Sequence, residues 1–378
     1  MFINSRDTSK IDCFNIFSNN SLQNKITTNN IIGDIIPILD NGGIVGVNNS
    51  AYNILCKLYD ECNLYKFHKQ HNKTITLDNI EHNKTIDEIT SFLGEDKNLI
   101  LKILEDSSKF YQTFRIPKKS GGFRKIEAPS KELKKIQNKI LKEILYRFKP
   151  SDMAYGFIKK RNIIQNAEKH KGKKYLLKID LKNFFPNITR KQILGALIPI
   201  ITKENVSIVI NLIELCLLHG RLPQGSPCSP ALSNIVMQLV DYSIYGLCRF
   251  YNITYTRYAD DLCFSSNSDF KKYIPIIKTN IVRFGFTINK TKVGYFKQGR
   301  RMTVTGIITN NKDFLSVPRN KRMRLRAKLH NIITNKIPFS KDLIPQLKGE
   351  INFVKMVNKQ QGEKLEKQFD VIIQKYID

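Results

Sequence analysis

The sequence predicts an α+β fold in which antiparallel strands pack with amphipathic helices. Residues 110–129 and 254–266 each hold two runs of strand-forming residues around a turn, a pattern typical of a β-hairpin. Residues 130–148 place apolar side chains on one helical face, and a long helix at 229–250 follows a rigid Pro/Gly turn. We divide the chain into a mostly helical N-terminal extension at 1–104, a central region at 105–317 and a basic helical region at 318–378.

Further elements follow from apolar residues at helical or strand spacing. Ser130 is the expected N-cap of the helix at 130–148, with Leu133, Ile136, Ile140, Leu141 and Leu145 on its buried face. Residues 302–309 and 314–317 are expected to form a hairpin through a turn at 310–313. The other predicted helices are 51–65, 86–93, 99–104, 191–218, 342–357 and 362–376.

The charge of the chain indicates a polyanionic partner. Its 378 residues include 62 Lys and Arg against 33 Asp and Glu, which gives a formal net charge of +29. Nucleic acid is favoured over a membrane, because the sequence has no run of 18 apolar residues and no signal peptide. We therefore expect a soluble, cytoplasmic protein. The seven scattered cysteines favour small core residues over disulfides or a zinc site.

Residues 254–266 are unusual, because the adjacent carboxylates of Asp260 and Asp261 interrupt a strand-like sequence. Neighbouring like charges raise each other's pKa, so we expect a bound cation, unless the segment is an ordinary Asp-containing turn. Asp180 ends the apolar strand 175–181, and a carboxylate there needs a partner or a metal. Asp180 is thus the candidate partner of the pair. Because neighbouring strand residues point to opposite sides, Asp260 and Asp261 are expected to be inequivalent.

A basic turn joins the two strands of residues 110–129. Its glycines, Gly121 and Gly122, allow the backbone to approach an anion closely. The hairpin is suited to closing over a phosphate, and a solvated basic hairpin is the alternative. The cations that it supplies are Lys118, Lys119, Arg124 and Lys125.

Three signals follow one another along the chain: the strand ending at Asp180, a Leu-Pro-Gln-Gly turn at 222–225 and a Tyr-Ala-Asp-Asp hairpin at 258–261. Their types, their order and the 80 residues between Asp180 and Asp260 resemble reverse transcriptases over about residues 105–320. This resemblance implies a right-hand polymerase fold. Its parts would be fingers, a palm of antiparallel sheet with helices, and a helical thumb.

Two further segments narrow the resemblance. Asn-Ala-Glu-Lys-His at 166–170 and Val-Thr-Gly at 304–306 are similar to elements that mark bacterial retron reverse transcriptases. Without the resemblance, His170 would be interpreted as a surface histidine near lysines. The Val-Thr-Gly segment would be an ordinary transition from strand to turn.

The resemblance implies roles in nucleotidyl transfer. Asp180, Asp260 and Asp261 would bind two Mg²⁺ ions, with Mn²⁺ as a substitute, because magnesium prefers oxygen ligands. Asp180 and Asp260 would bridge the two ions. The Leu181 carbonyl would be a further metal ligand, and Lys292 would donate a proton to the leaving pyrophosphate, with Lys290 as the competing candidate. Phe185 would lie against the sugar C2′, with Phe184 as the core member. Gln224 would contact the nucleotide near its sugar, and Arg124 and Lys119 would hold the triphosphate.

A basic helix at 319–331 has the charge density expected of a surface lying against a duplex backbone. A solvated basic helix is the alternative. Its inward side would be Leu325, Leu329, Ile332 and Ile333. The residues expected to bind RNA or DNA are Asn166, His170, Val304, Thr305, Gly306, Arg319, Arg322, Arg324 and Arg326.

The resemblance implies a retron enzyme that copies part of its cognate structured non-coding RNA (msr-msd) into multicopy single-stranded DNA (msDNA). Synthesis would use dNTPs and start from the 2′-hydroxyl of a branching guanosine. An effector protein of the toxin or nuclease type would act with it in anti-phage defence, and no membrane is expected as a partner. The alternatives are a group II intron enzyme, an abortive-infection reverse transcriptase and a catalytically idle RNA-binding scaffold.

Overall fold

The computed structural model of the protein describes residues 77–118, 121–201 and 205–376. The predictions for residues 1–76, including the helix at 51–65, and for Lys119 lie outside the described residues. The described chain divides into two compact units. The first unit runs up to Ser151 and includes Asn183–Ser243, and the second comprises Asp152–Lys182 and the residues from Ile244 onward. The division into 1–104, 105–317 and 318–378 stays a prediction.

Helices account for most of the described elements. They are α1 (Leu77–Leu93), α2 (Lys97–Glu105), α3 (Lys131–Glu143), α4 (Ile163–Glu168), α5 (Phe184–Asn187), α6 (Arg190–Leu197), α7 (Val206–Glu214), α8 (Ser229–Phe250), α9 (Ile274–Arg283), α10 (Arg319–Ile333), α11 (Leu343–Val357) and α12 (Lys359–Tyr376). The strands are β1 (Tyr111–Pro117), β2 (Phe123–Pro129), β3 (Tyr175–Asp180), β4 (Thr254–Tyr258), β5 (Asp261–Ser266), β6 (Gly294–Lys297), β7 (Thr303–Val304) and β8 (Ile307–Ile308).

The first unit contains α3 and the antiparallel hairpin β1–β2. Ser130 caps α3 as predicted, because its Oγ accepts a hydrogen bond of 3.3 Å from the backbone N–H of Leu133. The strands β1 and β2 pair in register from Tyr111 opposite Pro129 onward, which confirms the first predicted hairpin. The predicted apolar side chains of the helix are buried: Leu133, Ile136, Ile140, Leu141 and Leu145.

A buried glutamine connects this hairpin with the Pro/Gly turn. Gln137 Nε2 donates hydrogen bonds to Tyr111 Oη at 2.8 Å and to the Leu215 carbonyl at 2.9 Å. Gln137 Oε1 accepts one from Ser226 Oγ at 2.9 Å. Since a buried amide is costly unless it is hydrogen-bonded, these contacts fix the hairpin and the 222–226 segment against one helix.

The second unit contains an antiparallel sheet with strand order β4-β5-β3-β6. The neighbours β3 and β5 pair in register over six residues, from Tyr175 opposite Ser266 to Asp180 opposite Asp261. Both are mostly buried, which suits their runs of Leu, Ile, Cys and Phe. One end of this strand pair therefore carries two carboxylates directly opposite each other.

Helices α10, α11 and α12 share one apolar core with the short hairpin β7–β8 and α4. Leu325, Leu329 and Ile332 of α10 are buried as predicted, and Ile333 is half-buried against the same core. The helix presents this stripe inward while most of its arginines face solvent. The C-terminal helices are thus anchored to the sheet side of this unit by apolar packing.

The predicted hairpin of 302–309 with 314–317 is confirmed at one antiparallel bridge, between Ile308 and Ser316 on either side of the turn at 310–313. The predicted first strand is not continuous, because a further turn at Thr305 and Gly306, where φ is 47° and 82°, separates β7 from β8. Two-residue hairpin turns with positive φ match the right-handed twist of the strands, and glycine adopts such φ values without strain.

The segment 191–218, predicted to be helical, is divided into two α-helices. α6 ends at Leu197, a 3₁₀ turn covers Ile198–Ile200, and α7 starts at Val206. Pro199 lacks a backbone N–H and cannot continue an α-helix. The predicted helix at 86–93 is longer than expected. It corresponds to α1, which begins at Leu77, so the mostly polar residues before Ile86 are helical as well.

Candidate active site

The hairpin β4–β5 places the adjacent carboxylates in two different backbone settings. Tyr258 pairs with Asp261, so Ala259 and Asp260 form the two-residue turn, with a φ of 56° at Ala259. Asp261 is the first residue of β5. The two carboxylates are inequivalent because one lies in a turn and the other in a strand. The alternation within a strand that the sequence suggests is therefore not the reason.

Three contacts hold the turn in place. Arg257, which is fully buried, donates from Nη1 to the carbonyl of Ala259 at 3.2 Å. The backbone N–H of Leu181 donates to the carbonyl of Asp260 at 3.0 Å. A Cβ on Gly156 would stand 2.6 Å from the backbone N of Ala259, so only glycine allows this close approach.

Asp180 lies at the end of β3, opposite Asp261, with 8% of its surface exposed. Residues directly opposite in an antiparallel pair project to the same face, so these two carboxylates are neighbours. Lys292 Nζ donates to Asp180 Oδ2 at 2.9 Å, and Asn289 Nδ2 donates to Asp180 Oδ1 at 3.1 Å. Of the two lysines considered from the sequence, Lys292 is the one that contacts a carboxylate.

The electrostatics of this cluster show an excess of negative charge. Burial, reinforced by the charge of Asp261, raises the pKa of Asp260 to about 6. Burial also raises the pKa of Asp261, against the opposing effect of Lys178. The hydrogen bond to Asp180 raises the pKa of Lys292, so its ammonium is held in the charged form. The cluster is therefore suited to bind additional positive charge.

The donors fit magnesium chemically, since Asp180, Asp260 and Asp261 offer carboxylate oxygens and repel one another. Within the described residues, no three His, Cys, Asp or Glu side chains already stand in a metal-holding arrangement. Lys292 instead neutralises Asp180, and the carboxylates would have to turn toward a common ion. The backbone at Leu181, the predicted further ligand, is fixed by its bond to Asp260 and by a bridge to Ile288.

Of the nucleotide residues predicted from the sequence, Arg124, Phe185 and Gln224 lie in the first unit. Gln224 is half-buried, and its carbonyl accepts a hydrogen bond of 2.9 Å from the backbone N–H of Glu127 in β2. The same strand carries Arg124, which is exposed. The structure thus brings the turn of Gln224 to the strand of Arg124. Phe184 is buried and Phe185 half-buried, with their ring centroids 5.4 Å apart.

The predicted RNA contacts of Asn166 and His170 are not what the structure shows. Both side chains are fully buried. His170 Nδ1 lies 2.7 Å from Ser265 Oγ, and His170 Nε2 lies 2.7 Å from Thr256 Oγ1. Thr256 Oγ1 donates its proton to Asn166 Oδ1 at 2.5 Å, which assigns the histidine proton to Nε2. Any influence of Asn166 or His170 on RNA is therefore indirect.

This network is neutral. Burial, with a smaller contribution from Lys173, lowers the pKa of His170 to about 3. The hydrogen bonds run from the hydroxyl of Ser265 through the imidazole and Thr256 to Asn166. They join the loop after α4 to strands β4 and β5, behind the hairpin of the carboxylates.

The other predicted RNA-binding residues are divided between core and surface. Val304 is buried, Thr305 Oγ1 donates to the Ile163 carbonyl at 3.1 Å, and Gly306 is exposed. Arg322 is half-buried and donates from Nε to the Val317 carbonyl at 3.0 Å. The arginines of α10 that face solvent are Arg319, Arg324 and Arg326.

Sequence reasoning missed Arg257, Asn289 and Gly156. Arg257 carried a signal, because a charged residue in an apolar strand three positions before Asp260 needs a buried acceptor. Asn289 and Gly156 carried none, since their contacts join distant parts of the chain. None of the described helices is long and apolar enough to cross a membrane.

Adjacent strands that end in carboxylates, with a lysine bonded to one of them, are the features of a centre for nucleotidyl transfer. Residues 116–309 match the family described as reverse transcriptase (RNA-dependent DNA polymerase). The chain is similar to the Retron Mx65 reverse transcriptase of Myxococcus xanthus, at 34% identity over 68% of this chain and 64% of that protein. It is also similar to the Retron Ec86 reverse transcriptase of Escherichia coli, at 31% identity over 70% and 82%.

The chain belongs to the reverse transcriptase family, and within it to the retron reverse transcriptases. The fold is accordingly that of a reverse transcriptase, as the sequence predicts. The match to the Myxococcus relatives spans 64% and 60% of their own lengths, which is less than two thirds. A solved structure, apo telomerase from Candida tropicalis truncated from its C-terminal domain, is similar at a TM-score of 0.41 and 15% identity over 58% of this chain and 59% of that one, too weakly to carry an argument.

Proposed function

We propose that this protein is an RNA-directed DNA polymerase that copies part of a structured non-coding RNA into multicopy single-stranded DNA. The observation that carries the proposal is that Asp180 pairs with Asp261 across β3 and β5, next to the β4–β5 turn that holds Asp260. The chain that shows this arrangement belongs to the retron reverse transcriptase family. The net charge of +29 supports a nucleic-acid partner.

The carboxylates would supply oxygen ligands to two Mg²⁺ ions, or Mn²⁺ in their place, with Asp180 and Asp260 as the bridging pair. When bound, such ions stabilise the attacking and leaving oxygens of an in-line displacement at phosphorus. Lys292 would release Asp180 and hold its proton at Nζ, ready for the leaving pyrophosphate oxygen. The hydrogen bond of Lys292 Nζ to Asp180 Oδ2 at 2.9 Å supports this role, because it places the ammonium beside the carboxylates.

Family membership supports the predicted contacts with the incoming dNTP, and the Leu181 carbonyl would be a further ligand of the metal ions. Arg124 and Lys119 would hold the triphosphate through charge-assisted hydrogen bonds, and Gln224 would contact the sugar. Phe185 would exclude a ribose 2′-hydroxyl, and the burial of its neighbour Phe184 supports that division of roles. The exposed arginines of α10 would lie along the template–product duplex, as would Gly306, the exposed residue of the Val-Thr-Gly segment.

Priming is proposed to start from the 2′-hydroxyl of a branching guanosine in the cognate RNA, leaving RNA and DNA joined by a 2′,5′ linkage. The product and the RNA would stay with the protein, and an effector protein of the toxin or nuclease type would complete an anti-phage system. Family membership supports these steps.

Expression of the protein with the non-coding RNA encoded beside it tests the proposal. Extracted nucleic acid should contain a branched DNA that shortens by its RNA part after ribonuclease treatment. The double variant Asp260→Ala, Asp261→Ala should give none, whereas Asp370→Ala, which changes an exposed aspartate of α12, should give the wild-type amount. A branched DNA that persists in the double variant would refute the proposal.

An assay without template separates the remaining outcomes. DNA synthesis by the purified protein in the absence of any RNA would indicate an enzyme of the abortive-infection type. RNA binding without synthesis under any condition, with Mg²⁺ and dNTPs present, would indicate a scaffold.

A further inference from the structure

The strand pair β3–β5 has a second functional end. At the end opposite to the carboxylates, where Tyr175 pairs with Ser266, a pocket of about 290 Å³ lies at the surface of the second unit. Its lining residues are Lys171, Gly172, Lys173, Lys174, Asn267 and Lys312. Four of the six are lysines, and no carboxylate lines it.

Three of the four lysines are not neutralised by a carboxylate in the described structure. Lys171 is paired with Glu168. In the part of the chain that the structure describes, Lys173, Lys174 and Lys312 form no ion pair with a carboxylate. Like charges that converge without a counter-ion repel one another, so an anion in this pocket would relieve the repulsion.

The backbone around the pocket is fixed rather than loose. Gly172, with a φ of +69°, donates its N–H to the Thr309 carbonyl at 2.8 Å. A Cβ on Gly172 would stand 2.8 Å from Lys312 Cγ, so the glycine brings the two loops together. The Lys174 carbonyl accepts the N–H of Gln298 at 2.7 Å.

The buried hydrogen-bond network of His170 also fixes the loop that carries the lysines, residues 171–174. His170 immediately precedes Lys171, and its imidazole is hydrogen-bonded to β4 and β5. The position of the lysine loop is therefore set by β5, which begins at Asp261, and by β4, which is joined to β5 through the turn of Asp260.

We propose that this pocket, called here the lysine pocket, binds backbone phosphates of the RNA on which the protein acts. The inference rests on the proposed function. Six-residue strands separate the pocket from Asp180 by about 17 Å, at roughly 3.3 Å per residue. The pocket would hold the nucleic acid at a fixed distance from the site of chemistry.

Phosphate of a nucleic-acid backbone fits this pocket better than a recognised base. Lysine ammonium groups act as point charges on phosphate, whereas base edges are read by fork-shaped or amide side chains. The only such group in the lining is the amide of Asn267. The lysine pocket should therefore contribute affinity and register, but no sequence preference.

The test measures binding of the full chain to a stem-loop RNA with an annealed DNA primer, over a range of salt concentrations. The variant Lys173→Ala, Lys174→Ala, Lys312→Ala should bind about tenfold more weakly, and its slope of log K against log salt should be shallower by about 1 to 2. The matched control is Lys348→Ala, Lys364→Ala, Lys367→Ala, which removes three exposed lysines of α11 and α12 and should retain more of the affinity.

Two further arms make the result specific. Lys312→Arg keeps the charge and should bind like the wild type. The affinity for a second stem-loop of unrelated sequence should fall by the same factor in the triple variant. Equal binding by the triple variant and the wild type, or a loss confined to one sequence, would overturn the proposal. The proposal would also be overturned if the triple variant bound RNA as the wild type does while inorganic phosphate raised the melting temperature of the wild type alone. The pocket would then hold a free anion and not the RNA backbone.

Primer extension on the same probe, at protein concentrations above the dissociation constant, separates this proposal from the proposed function. The triple variant should extend the primer at nearly the wild-type rate once bound. If the wild type makes no DNA but the triple variant still binds RNA more weakly, the polymerase proposal fails and the lysine pocket stands. If extension is normal and RNA affinity is unchanged, the lysine pocket fails alone.

Discussion

The sheet of the second unit holds two polar clusters that are organised in opposite ways. Around His170, two hydroxyls and an amide form a neutral, buried chain of hydrogen bonds. Around Asp180, three carboxylates share one turn and two strand ends, and among the residues that the structure describes one lysine, Lys292, bonds directly to them. The chain around His170 gives both imidazole nitrogens a partner and stabilises the fold, although Asn166 Nδ2 has no hydrogen-bond partner within the described residues. A cluster left with excess charge instead costs stability and is suited to binding.

The largest expected effect comes from Asp180→Asn, which keeps the shape of the side chain and removes its charge. We expect DNA synthesis to fall by ~10³-fold or more, as for other groups that act as a unit in catalysis. The free energy of unfolding should change by less than about 1 kcal/mol, because the lost pairing with Lys292 is offset by less repulsion. Primer extension and denaturant unfolding measure the two quantities.

Asp370→Asn, at an exposed site on α12, is the matched control and should change neither quantity. If Asp180→Asn lowered the free energy of unfolding strongly but left the rate of DNA synthesis unchanged, the carboxylate cluster would be structural rather than catalytic.

His170→Ala should show the opposite profile. We expect the free energy of unfolding to fall by about 3 kcal/mol, because Ser265 and Thr256 each lose a buried partner and a cavity is left. The rate of synthesis per folded molecule should change little. Urea unfolding is the measurement, and His330→Ala, at an exposed histidine of α10, should cost less than about 0.5 kcal/mol. A stable His170→Ala protein would show that the network is not structural.

The stability of the wild type should depend on pH through His170. Its pKa is about 3 in the folded protein, against 6.5 for an ordinary histidine. Between these values the unfolded chain binds one proton more, so the free energy of unfolding is highest above pH 6.5 and falls as the pH is lowered. At pH 5 the loss should be about 2 kcal/mol, at 1.36 kcal/mol per pH unit.

Unfolding of the wild type and of His170→Gln at several pH values isolates this effect. The difference between the two proteins should shrink as the pH falls from 6.5 to 5. A difference that stays constant would mean that His170 is not neutral in the folded protein.

The smallest effect concerns Asn289, which donates to Asp180 Oδ1. We expect Asn289→Ala to lower kcat about tenfold, because residues that orient a metal-binding carboxylate have effects of that order. The Mg²⁺ concentration for half-maximal rate should rise. Thr291→Ala should act in the same direction but less, since its hydroxyl donates to Asn289 Oδ1. An unchanged Mg²⁺ requirement would count against a positioning role for Asn289.

Much of this arrangement could be predicted from sequence because its signals are local. The cap at Ser130, the hairpins around residues 118–122 and 259–260 and the strand that ends at Asp180 follow from neighbouring residues. The juxtaposition of Asp180 with the Asp260–Asp261 pair was expected because a carboxylate that ends an apolar strand needs a partner or a metal, and the order of motifs in a known family supported it.

What could not be predicted depends on contacts between distant segments. His170 stands beside lysines in sequence, yet the hydroxyls of β4 and β5 bury it, and those partners are 86 and 95 residues away. The turn at Thr305 and Gly306 was missed because a non-glycine residue adopts positive φ there, supported by the bond from Thr305 to Ile163. Burial of a polar side chain is decided by the partners that tertiary structure supplies.

We propose that the carboxylates at the end of β3 and in the β4–β5 turn form the polymerase centre, in which Asp260 matters more than Asp261. Single-nucleotide incorporation by purified Asp260→Asn and Asp261→Asn, on one primer–template and over a range of Mg²⁺ concentrations, tests it most directly. The account predicts that both variants are severely impaired and that Asp261→Asn retains the higher rate. Wild-type rates in both variants, or a higher rate in Asp260→Asn, would contradict it.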